Sequence, residues 1–282
     1  MDPLIFALVL GAALLHASWN ALVKTGGDPF MRLAVVNLVA GACALPFVFV
    51  VARPAVVSWP FLFASVVIHH GYYLALGYGY RHGDLSHVYP IARGIAPPLV
   101  ALVAWAFAGE SPGALGLLAI LVISGGILSL ALTEDGRRTS LRPVGFALAT
   151  GVTIAGYTLA DGLGGRRAGD VLGYIAWLFA IDALPFALLV AWRYRARLGE
   201  ALGRAWRPAA VGGVLAAAAY GLVIWAMTRA PMAQVSALRE TSVIMAALIG
   251  TRLLKEPFGA RRIFAASLVA LGVVLLQVGR AA

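Results

Sequence analysis

Ten apolar stretches, each about long enough to cross a bilayer, follow one another along this chain with very little between them. A spanning helix needs roughly 20 mainly apolar residues. Such stretches run near 3–23, 31–52, 59–80, 86–108, 113–132, 143–160, 171–192, 208–228, 232–253 and 262–279. Hydrocarbon offers no water to bond the backbone, so a segment of this kind must satisfy its own N–H and C=O groups as a helix. Of the 282 residues, 61% are apolar and 12% charged. Soluble chains sit near half and a quarter. A soluble core cannot hide that excess, whereas lipid can. The expected fold class is an all-α membrane protein with ten transmembrane helices. The longest polar connection, Arg193 to Arg207, is basic and amphipathic. No soluble domain, low-complexity tract or long linker interrupts the series.

The formal charge is +10, and Lys24 and Lys255 are the only lysines among the 22 basic residues. The arginines lie between apolar segments, where flanking charges of membrane helices belong. That distribution excludes a nucleic-acid partner, which would need a basic face or stripe. Cys43 is the single cysteine, so no intrachain disulfide and no cysteine metal site can form. The start, Met1-Asp2-Pro3, has no basic region before the first apolar stretch, which therefore reads as a span and not as a signal peptide. Gly109-Glu110-Ser111-Pro112-Gly113 fits the G-x-S-x-G pattern. A nucleophile elbow needs a strand before it and a helix after it, and here the pentapeptide joins two apolar helices. No H-E-x-x-H and no P-loop occurs. No cofactor and no metal is expected.

The two halves of the chain resemble each other. Ala44-Leu45-Pro46-Phe47 in span two recurs as Ala183-Leu184-Pro185-Phe186 in span seven, with Val51-Ala52 and Val190-Ala191 following at equal spacing. Pro60, Tyr72 and Arg81 match Pro208, Tyr220 and Arg229 at one constant offset. Glu110, Gly113, Ala114 and Gly126 match Glu256, Gly259, Ala260 and Gly272. The matches fall in the correct order, so residues 1–138 and 139–282 read as two five-span repeats. An odd number of spans forces the second repeat to insert upside down. Transporters built from such inverted repeats hold their site near the membrane midplane, between the halves.

On these features the chain resembles the drug/metabolite transporter superfamily, in its ten-span EamA type. The resemblance is carried by the five-plus-five arrangement and by the end of span one, His16-Ala17-Ser18-Trp19-Asn20-Ala21-Leu22-Val23-Lys24. The Gly109-Glu110 and Lys255-Glu256 turns before the glycine-containing last spans carry it too, as do Tyr89-Pro90-Ile91-Ala92-Arg93-Gly94 in span four and Ala237-Leu238-Arg239-Glu240-Thr241-Ser242 in span nine. It covers nearly the whole length and does not specify a substrate. It implies a multi-pass protein of the cell (inner) membrane, monomer or homodimer, performing secondary transport, often export, of amino acids, other metabolites or drugs.

Ionisable groups inside spans are costly and mark functional sites by default. Here they are His16, His69, His70, Arg93, Asp182, Arg239 and Glu240. Arg93 and Arg239–Glu240 occupy matching stretches of spans four and nine. Two readings follow: Arg93 pairs with Glu240, or an arginine binds a substrate carboxylate. Pro90, Pro97 and Pro98 interrupt span four and imply either a midplane break or a packing kink. His16 and Asn20 share a helix face, as cavity lining or as interhelical glue. His69 and His70 are adjacent and point apart, so they cannot chelate a metal together. Among the aromatic residues, Tyr72, Tyr73, Tyr89, Tyr157, Tyr174, Trp177, Tyr220 and Trp225 lie in or near inner spans. The expected substrate-binding set is His16, Trp19, Asn20, His70, Tyr73, Tyr89, Arg93, Tyr157, Trp225, Arg239 and Glu240. Its cavity is expected between spans one, three, four, six, eight and nine, with spans five and ten peripheral.

The expected function is secondary active export of small amphipathic or carboxylate-bearing metabolites by alternating access. The expected partners are the substrate, the bilayer, and a coupling proton or other ion. A passive facilitator or lipid-moving protein is the alternative, and an intramembrane enzyme a third for which no catalytic constellation is found. Orientation is contested. Arg53, Arg166, Arg167, Arg229 and Arg280 fall on the side of the termini, and most other basic residues on the opposite side. Positive residues stay cytoplasmic, so this count places both termini outside. The resemblance implies both inside.

Overall fold

In the computed structural model, residues 1–24, 28–82, 85–131, 141–195, 198–254 and 259–278 are described. They form a helical bundle without a strand. In chain order the helices are α1 (Pro3–Lys24), α2 (Pro29–Val48), α3 (Trp59–His82), α4 (Leu85–Ala108), α5 (Gly113–Ser129), α6 (Leu141–Arg167), α7 (Val171–Arg193), α8 (Leu198–Met227), α9 (Met232–Arg239), α10 (Ser242–Leu254) and α11 (Ala260–Val278). Eight of them carry a window long and apolar enough to cross a membrane. Helix α5 is apolar but 17 residues long, and α9 and α10 are shorter still, with 8 and 13 residues. The protein is an all-α membrane protein.

Local chemistry sets where several helices begin. Asp28 caps α2 with its side chain, accepting from the N–H groups of Phe30 and Met31, and Pro29 follows at the first helical position. Proline fits there because its missing N–H would be unbonded anyway. Asp2 and Pro3 open α1 in the same way, with the Leu4 N–H 2.8 Å from Asp2 Oδ1. Asp170 caps α7. The Gly109–Gly113 pentapeptide is a turn between α4 and α5, with both end glycines at φ +67°. That backbone suits glycine, which has no Cβ to clash. Ser111 accepts from the Gly113 N–H, and no strand precedes it. The elbow geometry is absent.

The interruption within a span lies in span nine. Helix α4 runs unbroken through Pro90, Pro97 and Pro98, so these prolines are accommodated within a packed helix. Between α9 and α10 the chain instead makes a turn at Glu240–Thr241. Glu240 and Thr241 donate their N–H groups to Ala237 and Leu238, three residues back, and the Thr241 hydroxyl also donates to Leu238. These tighter bonds replace the i−4 ladder for one turn.

Packing pairs the two halves reciprocally. Helix α3 packs on α6, and α8 packs on α1; α2 packs on α7, and α5 on α11. The α5–α11 contact is close because both helices present glycine. A Cβ on Gly272 would stand 2.9 Å from the Ala119 carbonyl, and one on Gly126 3.1 Å from the Ala265 carbonyl. Small residues let membrane helices approach to van der Waals contact. Phe264, Leu271 and Val274 on α11, and Leu117, Leu118 and Leu121 on α5, point outward. Outward apolar side chains also cover α2, α4 and α7, as expected where lipid is the solvent.

Candidate functional site

Polar groups collect inside the bundle, around a cavity of about 100 Å³. Its walls come from α1 (Ala12, His16, Trp19), α2 (Leu33, Val36, Asn37, Ala40), α3 (His69, Tyr72, Tyr73), α6 (Tyr157), α7 (Leu178, Phe179, Asp182), α8 (Ala216, Ala219, Tyr220, Val223) and α9 (Arg239). Three of the four lining residues of α2, Leu33, Val36 and Asn37, lie in its Asp28 half, so the cavity leans toward that end. Toward the other end a buried apolar cluster fills the centre, with Val9, Leu62, Met227 and Met232 among its members.

Three buried charges sit together where span nine breaks. Arg93 Nε stands 2.6 Å from Glu240 Oε2, and the two side chains are 3% and 0% exposed. Arg93 also approaches the Ser242 hydroxyl. Arg239, next to Glu240 in the chain, turns instead into the cavity. Its Nη2 donates to the Tyr157 hydroxyl at 3.2 Å, and its guanidinium carbon lies 5.6 Å from the centre of the Tyr220 ring. Its Nε is buried with no hydrogen-bond partner. Among the described residues no carboxylate pairs with it. The arrangement therefore holds two guanidinium groups for one carboxylate, and the uncompensated one faces the cavity.

Two aspartates lie on the other walls. Asp182 accepts from the Tyr73 hydroxyl at 2.8 Å and from the Asn37 amide at 3.2 Å. His70 Nδ1 is 3.5 Å from its other oxygen. Asp161 is fully buried in α6 and accepts from the hydroxyls of Tyr174 and Tyr220. His69 stacks on Tyr157 with ring centres 4.1 Å apart. Tyr72 and Tyr220, which share one constant offset in the repeat, both reach the cavity.

Of the expected binding set, His16, Trp19, Tyr73, Tyr157 and Arg239 line the cavity. Trp19 donates its indole N–H to His16 Nδ1 at 3.2 Å. Asn20 does not pair with the His16 ring; its amide donates to the His16 backbone carbonyl. Arg93, Glu240 and Tyr89 stand behind Arg239, with Arg93 5.9 Å from the Tyr89 ring centre. His70 stands behind Asp182. Trp225 lies away from the cavity, beneath the guanidinium of Arg229. Spans two and seven contribute walls that the sequence did not assign to them, and span four contributes none directly. Asn37, a polar residue inside an apolar span, was the available signal for span two.

Each end of the bundle carries a polar clasp. At one end, Asp28 of α2 pairs with Arg81 of α3 and accepts from the Tyr194 hydroxyl beyond α7. Partial burial raises the Asp28 carboxyl, but the hydrogen bonds from Arg81 and Tyr194, with the Arg81 charge, outweigh this and hold it below the ordinary carboxylate value. At the other end, Arg166 of α6 pairs with Glu110 and donates to the carbonyls of Met227 and Ala230. The second Glu110 oxygen accepts from the Met232 N–H at the start of α9. The matching Glu256 lies outside the described residues.

Residues 141–278 match the EamA-like transporter family. No curated protein matches the chain. A solved structure described as a crystal structure of protein has a TM-score of 0.77 and 17% identity, covering 99% of this chain and 97% of that one. At that identity the likeness concerns the fold.

Proposed function

We propose, for a chain whose residues 141–278 belong to the EamA-like transporter family, that it is a secondary active transporter of small carboxylate-bearing amphipathic metabolites, amino acids among them. The observation that carries this reading is Arg239. A buried guanidinium is expensive without an anion. Arg93 has Glu240, whereas Arg239 has a phenol, a ring face and an empty donor. A substrate carboxylate entering the cavity supplies the missing charge and takes the free Nε–H. Tyr72, Tyr157, Tyr220 and Phe179 offer aromatic walls to the apolar part of the solute.

The volume favours small solutes. About 100 Å³ is less than the ~150 Å³ that holds benzene in an engineered protein cavity, so alanine-sized solutes fit as it stands, and benzoate, phenylalanine or any larger molecule requires the helices to part. Alternating access supplies such a motion. The reciprocal packing of α3 on α6 and α8 on α1, and the paired Gly126 and Gly272, support two five-helix repeats related by a pseudo-two-fold axis in the membrane plane. The clasps at Asp28–Arg81–Tyr194 and Glu110–Arg166 lie at opposite ends, where opening one and closing the other would switch the cavity between sides. Export, the direction assigned here, rests on the resemblance alone.

Matched acid and amide ligands test the reading. Purified protein is melted with benzoate or benzamide, L-phenylalanine or L-phenylalaninamide, and L-alanine or L-alaninamide. A ligand at 100 times its Kd adds about 2.7 kcal/mol of stability. At least one acid raises the melting temperature while its amide does not. Equal shifts for acids and amides would sink the proposal.

A further inference from the structure

We infer that Asp182 and His70 form a one-proton site in the cavity wall, through which the transporter senses and couples to protons. The inference rests on the reading of the chain as a gradient-driven transporter, and concerns a different wall from Arg239. Asp182 is 4% exposed and is the one carboxylate among the cavity-lining residues. Its donors through Oδ2, Tyr73 and Asn37, are neutral. Neither arginine nor lysine pairs with it among the described residues. Its Oδ1 is buried and accepts no hydrogen bond. Among the described residues, the one titratable base beside that oxygen is His70, with Nδ1 at 3.5 Å.

The hydrogen positions follow from the partners. His70 Nδ1 stands 2.6 Å from the Val66 carbonyl oxygen. A carbonyl only accepts, so Nδ1 carries a hydrogen. Neutral His70 then has a bare Nε2, which is buried with no partner. The pair thus offers two vacant proton positions, Asp182 Oδ1 and His70 Nε2, in a place poor in water. With no added proton the pair carries one negative charge. With one proton, on either position, it is neutral overall. With two it is positive. A proton from the cavity can be held at either vacant position and returned to the cavity. No other bond forms or breaks.

The neighbours decide why this pair titrates and not another. From α6 comes Asp161, whose two oxygens are already held by Tyr174 and Tyr220 and which is sealed from the cavity. Also from α6 comes Tyr157, which accepts from Arg239, the cation contributed by α9. From α3 come His69, hydrogen-bonded at Nδ1 to Ser65, and Tyr72; from α8 comes Tyr220. From α1 comes His16, whose Nδ1 is occupied by Trp19. Among the described residues that line this cavity, Asp182 alone offers a vacant carboxylate oxygen, and His70 with its vacant Nε2 stands behind it.

Infrared difference spectroscopy between acidic and alkaline buffer tests this on the full-length protein in liposomes, with the proton as the only ligand. Wild type is expected to show a protonated-carboxyl stretch on acidification. Asp182→Asn, which keeps the shape and can still bond Tyr73, is expected to lose that band. Asp161→Asn is expected to keep it. His70→Gln is expected to keep the band but alter its pH dependence, a change a purely structural histidine would not cause. Absence of a titrating carboxyl band in wild type, or its survival in Asp182→Asn, would overturn the inference. If the acid ligands fail to stabilise the protein while the band behaves as described, the carboxylate reading of Arg239 falls and the proton site stands.

Discussion

Replacing Glu240 by Gln is the most damaging single change the buried charges allow, and its cost follows from the geometry. Glu240 and Arg93 are in contact at 2.6 Å and both nearly inaccessible. Removing one partner of a buried pair costs about 3–5 kcal/mol, because the other charge stays buried. Glu240→Gln leaves two guanidinium groups, Arg93 and Arg239, with no carboxylate between them. It belongs at the top of that range. Arg93→Met leaves Glu240 with Arg239 beside it in the chain, so part of the compensation survives and the cost is smaller. The double variant removes both charges and is expected within about 1 kcal/mol of the milder single, so the coupling energy is close to the whole cost of Glu240→Gln, about 4–6 kcal/mol. Equilibrium unfolding in mixed micelles, followed by circular dichroism, measures all three. A coupling below about 1 kcal/mol, the level of exposed ion pairs, would refute the pairing argument. An Arg93→Met variant less stable than Glu240→Gln would refute the assignment of Arg239 as the shared neighbour. If Arg93 met the substrate, the double variant would fold yet fail to bind acids; retained binding is expected.

Gly272→Val places side-chain atoms where Ala119 and Ile123 already stand, with the Cβ alone 2.5 Å from Ile123 Cγ1. Overpacking of this kind costs about 1–3 kcal/mol, read as a lower midpoint in the same micelle titration, whereas Gly145→Val in α6, with nothing within 4 Å of its Cβ, is expected to leave the midpoint nearly unchanged. The depressed Asp28 carboxyl gives a pH-dependent contribution: it is fully present above the unfolded-state value near 3.9 and is lost as pH falls through the lower folded-state value. Asp28→Asn should therefore lower the melting temperature at neutral pH and converge with wild type in strong acid. Because the pair is about a third exposed, the difference stays near 1 kcal/mol or less.

The membrane class and the helix series were legible because lipid imposes a length and a hydropathy on every crossing. The starts of α1 and α2, at Pro3 and Pro29, fall at or close to the expected 3 and 31. What the spacing did not reveal was helix rotation and the site of the break. Prolines in span four drew attention to the wrong helix, since neighbouring helices and side chains can satisfy the backbone groups a proline frees. Span nine breaks without proline or glycine, at Glu240–Thr241, whose turn is made by short-range hydrogen bonds. Asp161 escaped notice because span six was expected to end at residue 160, and α6 continues to Arg167, which draws that carboxylate inside the bundle. The pairing of Arg93 with Glu240 was one of two readings open from the sequence. The geometry selects it, and transfers the candidate anchoring role from Arg93 to Arg239.

Uptake of labelled L-phenylalanine and L-phenylalaninamide into proteoliposomes, compared between wild type, Arg239→Lys and Arg239→Gln, tests the central claim most directly. Wild type is expected to move the acid at least tenfold faster than the amide. Arg239→Lys, which keeps the charge but not the planar donor set, is expected to retain part of that preference, and Arg239→Gln to lose it while remaining folded. Equal preference for the acid in wild type and Arg239→Gln would contradict the account.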